Sequence, residues 1–144
     1  MADLPPLMRD QRRVDVEHLK ILAIFHFVFA GLAVVGIAFL GLHYFVMSTV
    51  FGNAELWQHH QGAGPPPQEF LAVFQWFYAV FGVSIAACGV GNLLSGIFLR
   101  TRTHRVFSLI VAALNCMNMP FGTILGVFTI VVLLRDSVRE LYET

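Results

Sequence analysis

Residues 106–134 read VFSLIVAALNCMNMPFGTILGVFTIVVLL, 29 positions without a charge. A membrane-crossing helix needs about 20 apolar residues, so this stretch is either one long kinked span or two short helices. The candidate break is Asn118-Met119-Pro120-Phe121-Gly122. Pro120 has no N–H to donate, and its ring clashes with the preceding turn. An Asn two before Pro and a Gly two after it are turn chemistry. Kinked spans tolerate proline, so the breaker alone does not choose between the two.

Charge placement chooses. The nine Lys and Arg residues are Arg9, Arg12, Arg13, Lys20, Arg100, Arg102, Arg105, Arg135 and Arg139. Cytoplasmic connections collect Lys and Arg. A single span over 106–134 would put Arg135 and Arg139 on the opposite side from the other seven. A hairpin broken at Pro120 puts all nine on one side. The expected fold is therefore an all-α integral membrane four-helix bundle with both termini cytoplasmic. It has two long helices and a short helical hairpin.

The long helices come from two further uncharged runs, Ile21 to Phe51 and Phe70 to Leu99. The first, 31 residues long, exceeds the roughly 7–15-residue core of a cleavable signal peptide, and its leader mixes both signs of charge. The expected boundaries are a cytoplasmic or interfacial leader over 1–18, helix 1 over 19–51, an outer loop over 52–67 and helix 2 over 68–100. Helix 3 follows over 103–118. Helix 4, over 120–142, carries a cytoplasmic extension in which Val138, Leu141 and Tyr142 share a face. The loop holds the Pro65-Pro66-Pro67 triplet, stiff and extended ahead of the second helix. The apolar parts of helices 3 and 4 are each about 22 Å long at 1.5 Å per residue, short of a ~30 Å hydrocarbon core. The expectation is a lopsided molecule whose short hairpin stops at membrane depth.

Composition agrees with this class. Hydrophobic residues make up 57% of the 144 and charged residues 12%, against about 25% charged in soluble domains. Nine basic and nine acidic side chains cancel, so no charge excess favours nucleic acid as a partner. Two cysteines do not make a disulfide scaffold. Cys88 and Cys116 read as reduced small hydrophobes.

Helices associate in lipid through small residues that let backbones approach. Ala30, Ala33 and Gly41 on the first helix, and Ser84, Cys88 and Asn92 on the second, fall at helical spacing. Gly122 and Gly126 form a GxxxG on the fourth. Packing inside the chain is the first reading of these stripes, and an oligomer or partner contact the second.

No Asp, Glu, Lys or Arg lies inside an apolar run, which speaks against a proton- or ion-coupled transporter. His26 is the one titratable group to weigh, about 9 Å into the first span by helix rise. A neutral ring bonded to Asn92, Asn115 or a backbone carbonyl is the preferred reading. An axial haem ligand is the sharper one, with His104 the only possible mate from another helix. Asn115, Asn118 and Thr123 beside the break are candidate members of a polar membrane site. Glu55, His59 and His60 in the loop match no dense metal spacing. No nucleophile–base set, phosphate loop or dinucleotide fingerprint is present. The expectation is no enzyme, no metal and no cofactor.

The ending from Met119 to Tyr142, MPFGTILGVFTIVVLLRDSVRELY, and the opening EHLKILAIFHF from Glu17 to Phe27 resemble a family of small bacterial inner-membrane proteins with a PFGTxLGxFT-like motif. That family is uncharacterised, so the resemblance implies a four-helix protein of the bacterial inner membrane and brings no activity or site residue. The function expected is that of a non-catalytic accessory, scaffold or interaction subunit. Its partners would be the lipid bilayer and itself or another membrane protein. An oligomeric pore or small-solute transporter using the short hairpin is the alternative, and a redox subunit through His26 the third.

Overall fold

A computed structural model describes residues 6–53, 55 and 68–143. The helices are α1 (Pro6–Gly52), α2 (Gln68–Thr101), α3 (Arg105–Asn115), α4 (Phe121–Leu133) and α5 (Asp136–Glu143), with no strand among the described residues. Two of them, α1 and α2, are long and apolar enough to cross a membrane. Helix α1 already begins at Pro6, so most of the segment expected as a leader is helical.

The chain divides into two compact units. One comprises Met1–Leu32 with Cys88–Thr144, and the other Ala33–Ala87. In the first unit every helix turns one stripe inward. Asp15, Leu19, Leu22, Ala23 and His26 are buried on α1, and Asn92, Ser95, Gly96 and Leu99 on α2. Ser108, Val111, Ala112 and Asn115 do the same on α3, as do Gly122, Leu125, Gly126, Thr129, Val132 and Leu133 on α4. Steps of three and four residues are the period of one helical face.

Helices α3 and α4 form an antiparallel hairpin with very close backbones. A methyl built on Gly126 would collide with the Ala112 carbonyl oxygen and the Cys116 Sγ, and one on Gly122 would lie 2.5 Å from the Asn115 carbonyl oxygen. The GxxxG therefore serves contact within the chain. The turn between the helices holds its own backbone, with Asn118 N–H donating to the Asn115 carbonyl at 2.9 Å and Gly122 N–H to the Asn118 carbonyl at 2.8 Å.

The fourth helix was expected to run on to residue 142. It stops instead at Leu133, and α5 leaves at 73°. The last turn tightens to a three-residue step, Arg135 N–H to the Val132 carbonyl at 3.3 Å. The bend brings Val138 and Leu141 into one apolar cluster with Leu19, Leu22, Leu99 and Leu133. Arg105 Nε–H caps the C-terminal end of α4 by donating to the Leu133 carbonyl at 2.8 Å.

In the second unit α1 and α2 meet through Gly36 against Ile85 and Gly82 against Leu40. An aromatic ladder continues the contact: Tyr44 on Phe74 and Tyr78, then Phe51 on Phe70 and Phe74. His43 stacks on Tyr78 and shares a hydrogen bond with its hydroxyl.

Candidate functional site

Each of the four buried stripes in the first unit contains one polar side chain at a similar height. His26 lies six residues past Lys20, Asn92 eight before Arg100, Asn115 ten past Arg105 and Thr129 six before Arg135. By helix rise these are depths of about 9–15 Å from the charged end. Their convergence follows from that shared depth.

The four form one hydrogen-bonded cluster, each no more than 3% exposed. Asn92 and Asn115 pair head to tail. Asn92 Nδ2 donates to Asn115 Oδ1 at 3.0 Å, and Asn115 Nδ2 donates to Asn92 Oδ1 at 2.8 Å. The orientation is forced, because Asn92 Nδ2 also faces the Cys88 carbonyl at 2.9 Å, which can only accept. Asn92 Oδ1 then accepts a second bond from His26 Nδ1 at 2.8 Å, so that nitrogen carries hydrogen. On the other side of the ring, Nε2 lies 3.3 Å from Thr129 Oγ1.

The hydrogen inventory is one short when the ring is neutral. With Nδ1 donating, neutral Nε2 is an acceptor. The single Thr129 hydroxyl hydrogen then has two acceptors, Nε2 at 3.3 Å and the Leu125 carbonyl at 2.7 Å. The shorter contact is to Leu125. The cluster therefore joins its helices through four contacts, with two more to carbonyls of its own helices, while leaving the Nε2 lone pair loosely engaged. Close by in sequence, Ser95 and Ser108 are buried with hydroxyl oxygens that have no partner.

The residues expected to matter fare differently. His26, Asn92 and Asn115 come together, as the preferred reading of His26 required. Thr129 completes the group; its signal was its position three residues beyond Gly126 on the same face. Asn118 is exposed in the turn, and Thr123 donates to the Cys116 carbonyl at 2.8 Å. Neither joins the cluster. Ala30 and Ala33 are half-buried. Gly41 has nothing within 4 Å of where a Cβ would stand, and Ser84 and Cys88 are exposed, so these three positions do not form a helix contact. The small residues that do pack there are Gly36 and Gly82. His104 lies against Phe98 at 4.6 Å rather than near His26. Among the described residues no three His, Cys, Asp or Glu side chains gather as a metal set. His59 and His60 lie outside the described residues.

A second polar group sits at the charged end. Asp15 is 1% exposed, and its Oδ1 meets Arg135 Nη1 at 3.4 Å. Asp15 Oδ2 and the Tyr142 hydroxyl are buried without a hydrogen-bond partner. Burial pushes the Tyr142 phenol up to about 12, against the opposing pull of Arg105 and Arg102.

No family model matches the chain, and comparison with curated proteins and with solved structures finds no relative.

Proposed function

We propose that the chain is a non-catalytic accessory or scaffold subunit of the bacterial inner membrane. It is a four-helix protein with both termini cytoplasmic, and it presents the paired halves of α1 and α2 to another membrane protein or to a second copy of itself. The observation that carries this reading is a length mismatch. The uncharged run of α1 covers 31 residues and that of α2 covers 30, about 46 and 45 Å by helix rise. Fitting either into a core of about 30 Å by tilt alone would take an angle near 50°, beyond the range of about 0–40° found for spanning helices. Some of that apolar length needs another cover. The 33–87 unit also offers large outward side chains, with Phe39 68%, Trp76 72% and Val83 70% exposed.

The polar cluster supports the same reading. Asn115 is committed to its amide pair and Thr123 to the Cys116 carbonyl, so two of the three polar residues that a pore through the short hairpin would use, Asn118 being the third, are occupied. Both nitrogens of His26 face protein partners, an arrangement suited to joining helices rather than to holding an axial iron.

The test is photocrosslinking from single positions in native membranes, combined with the mass of the particle purified in mild detergent. Crosslinkers at Phe39, Trp76 and Phe81 are expected to capture one protein of defined mass, or a second copy, in a stoichiometric particle. Crosslinkers at Val106 and Ile124 are expected to label lipid. A monomer that labels only lipid from all five positions refutes the proposal.

A further inference from the structure

In the first unit, a cavity of about 570 Å³ opens between the lower part of α1 and the end of α2. It lies at the boundary where charge gives way to apolar sequence. Lys20, Arg100 and Arg102 stand at its mouth, and Ala23, Ile24 and Phe27 form its inner wall. No carboxylate lines it. Among the described residues none of the three cations makes an ion pair, whereas Arg135 and Arg139 are paired with Asp15 and Glu143. Three unpaired cations around one opening repel one another, and an anion relieves that repulsion.

The backbone adds a separate observation. Arg102 and His104 both have positive φ, 56° and 49°. A left-handed conformation costs a residue with a side chain roughly 1–2 kcal/mol. Such outliers cluster at ligand clamps. Here the turn places half-buried Arg102 over the cavity instead of letting it extend into water.

We propose that this cavity binds an anionic phospholipid, with its phosphate among Lys20, Arg100 and Arg102 and its upper acyl chain along Ile24 and Phe27. The volume falls within the ~300–1,000 Å³ of small-molecule sites. Lys20 and Phe27 are seven residues apart on α1, so the apolar wall reaches about 10 Å inward from the phosphate level. A free phosphate would use only the mouth of this site. A lipid uses both the cations and the wall behind them.

Phe27 also supplies a variant that leaves every charge in place. A methyl on Gly96 would stand 2.8 Å from Phe27 Cε1. Gly96→Ala must displace that ring, which is itself part of the cavity lining.

The experiment is native mass spectrometry of the purified full chain with equal phosphatidylglycerol or phosphatidylcholine. Phosphatidylglycerol is expected to be retained in preference. Arg102→Gln should weaken that preference about fivefold, and the triple variant Lys20→Gln/Arg100→Gln/Arg102→Gln by about a hundredfold, the effect of roughly fivefold per basic side chain at an anionic surface. Arg102→Lys and Arg139→Gln should leave it within about twofold, since one keeps the charge and the other lies outside the cavity. Gly96→Ala should weaken retention of both lipids. Equal retention of the two lipids by the native chain overturns the proposal, as does an unchanged preference in Arg102→Gln. Displacement of phosphatidylglycerol by millimolar inorganic phosphate marks a free-phosphate site and overturns the lipid assignment.

Discussion

Replacing Asn92 by Leu tests whether the polar cluster is the clasp of the first unit. The substitution conserves volume closely and removes four hydrogen bonds, to His26, to the Cys88 carbonyl and twice to Asn115. At about 0.6 kcal/mol per side-chain hydrogen bond between membrane helices, the bonds account for about 2 kcal/mol. The buried Asn115 amide and His26 Nδ1–H are also stranded, which adds about 1–3 kcal/mol. Asn92→Leu should therefore cost about 3–5 kcal/mol. Asn115→Leu removes two hydrogen bonds and leaves one Nδ2–H of Asn92 without an acceptor, while Asn92 keeps His26 and the Cys88 carbonyl, and should cost about 2–3 kcal/mol. The double variant removes both halves of the pair and the mismatch between them. Its cost should approach that of Asn92→Leu alone, a coupling of about 2 kcal/mol. Unfolding free energies from SDS titration, followed by far-ultraviolet circular dichroism, give all four corners of the cycle. Additivity within about 0.5 kcal/mol would refute the paired-amide account.

Gly126→Ala drives a methyl into the Ala112 carbonyl oxygen, which cannot move aside, whereas Gly41→Ala meets nothing within 4 Å. The first should lower stability by about 2 kcal/mol or more through overpacking, and the second should leave it unchanged or raise it by up to about 1 kcal/mol, read by the same titration. Tyr142 predicts a pH limb. Its phenol is raised to about 12 when folded and lies near 10 when unfolded, so its contribution is whole below about pH 10 and is lost as pH rises toward 12. Tyr142→Phe removes a buried hydroxyl without a partner, so it should flatten that limb in thermal melts and leave neutral-pH stability unchanged or higher. Arg135→Gln leaves the Asp15 carboxylate buried without its cation, so it should lower the melting temperature more than Asp15→Asn does. The reverse order would show that the pair is not what keeps Asp15 tolerable.

The two long helices and the break at Pro120 were readable in the sequence because charge and proline act locally. Lys20, Arg100 and the uncharged runs between them need no tertiary knowledge to interpret. The meeting of His26 with Asn92 and Asn115 was half-readable, since depth along a helix can be counted but azimuth cannot. Gly41, Ser84 and Cys88 show the limit. Helical spacing groups residues on a face without saying which of them meets a neighbour; Asn92 does, and these three do not. The bend after Leu133 left no local trace either, with neither Pro nor Gly between residues 127 and 144. There the burial of Val138 and Leu141 against Leu19 and Leu22 overrides the tendency of the helix to continue.

Under the four-helix arrangement proposed above, the shared polar cluster constrains biogenesis. Helix α3 has eleven residues and carries Ser108 and Asn115 on its buried face. It is too short to be stable alone in lipid, and its amide would enter unsatisfied. Asn92 is synthesised before Asn115, but the glycines that let a backbone lie against α3 come afterwards, on α4. The hairpin must therefore leave the translocation machinery as a pair, after α1 and α2 are already in place to receive it. A chain stalled between residues 116 and 121 would present a helix with nowhere to go, the form most exposed to quality-control proteolysis.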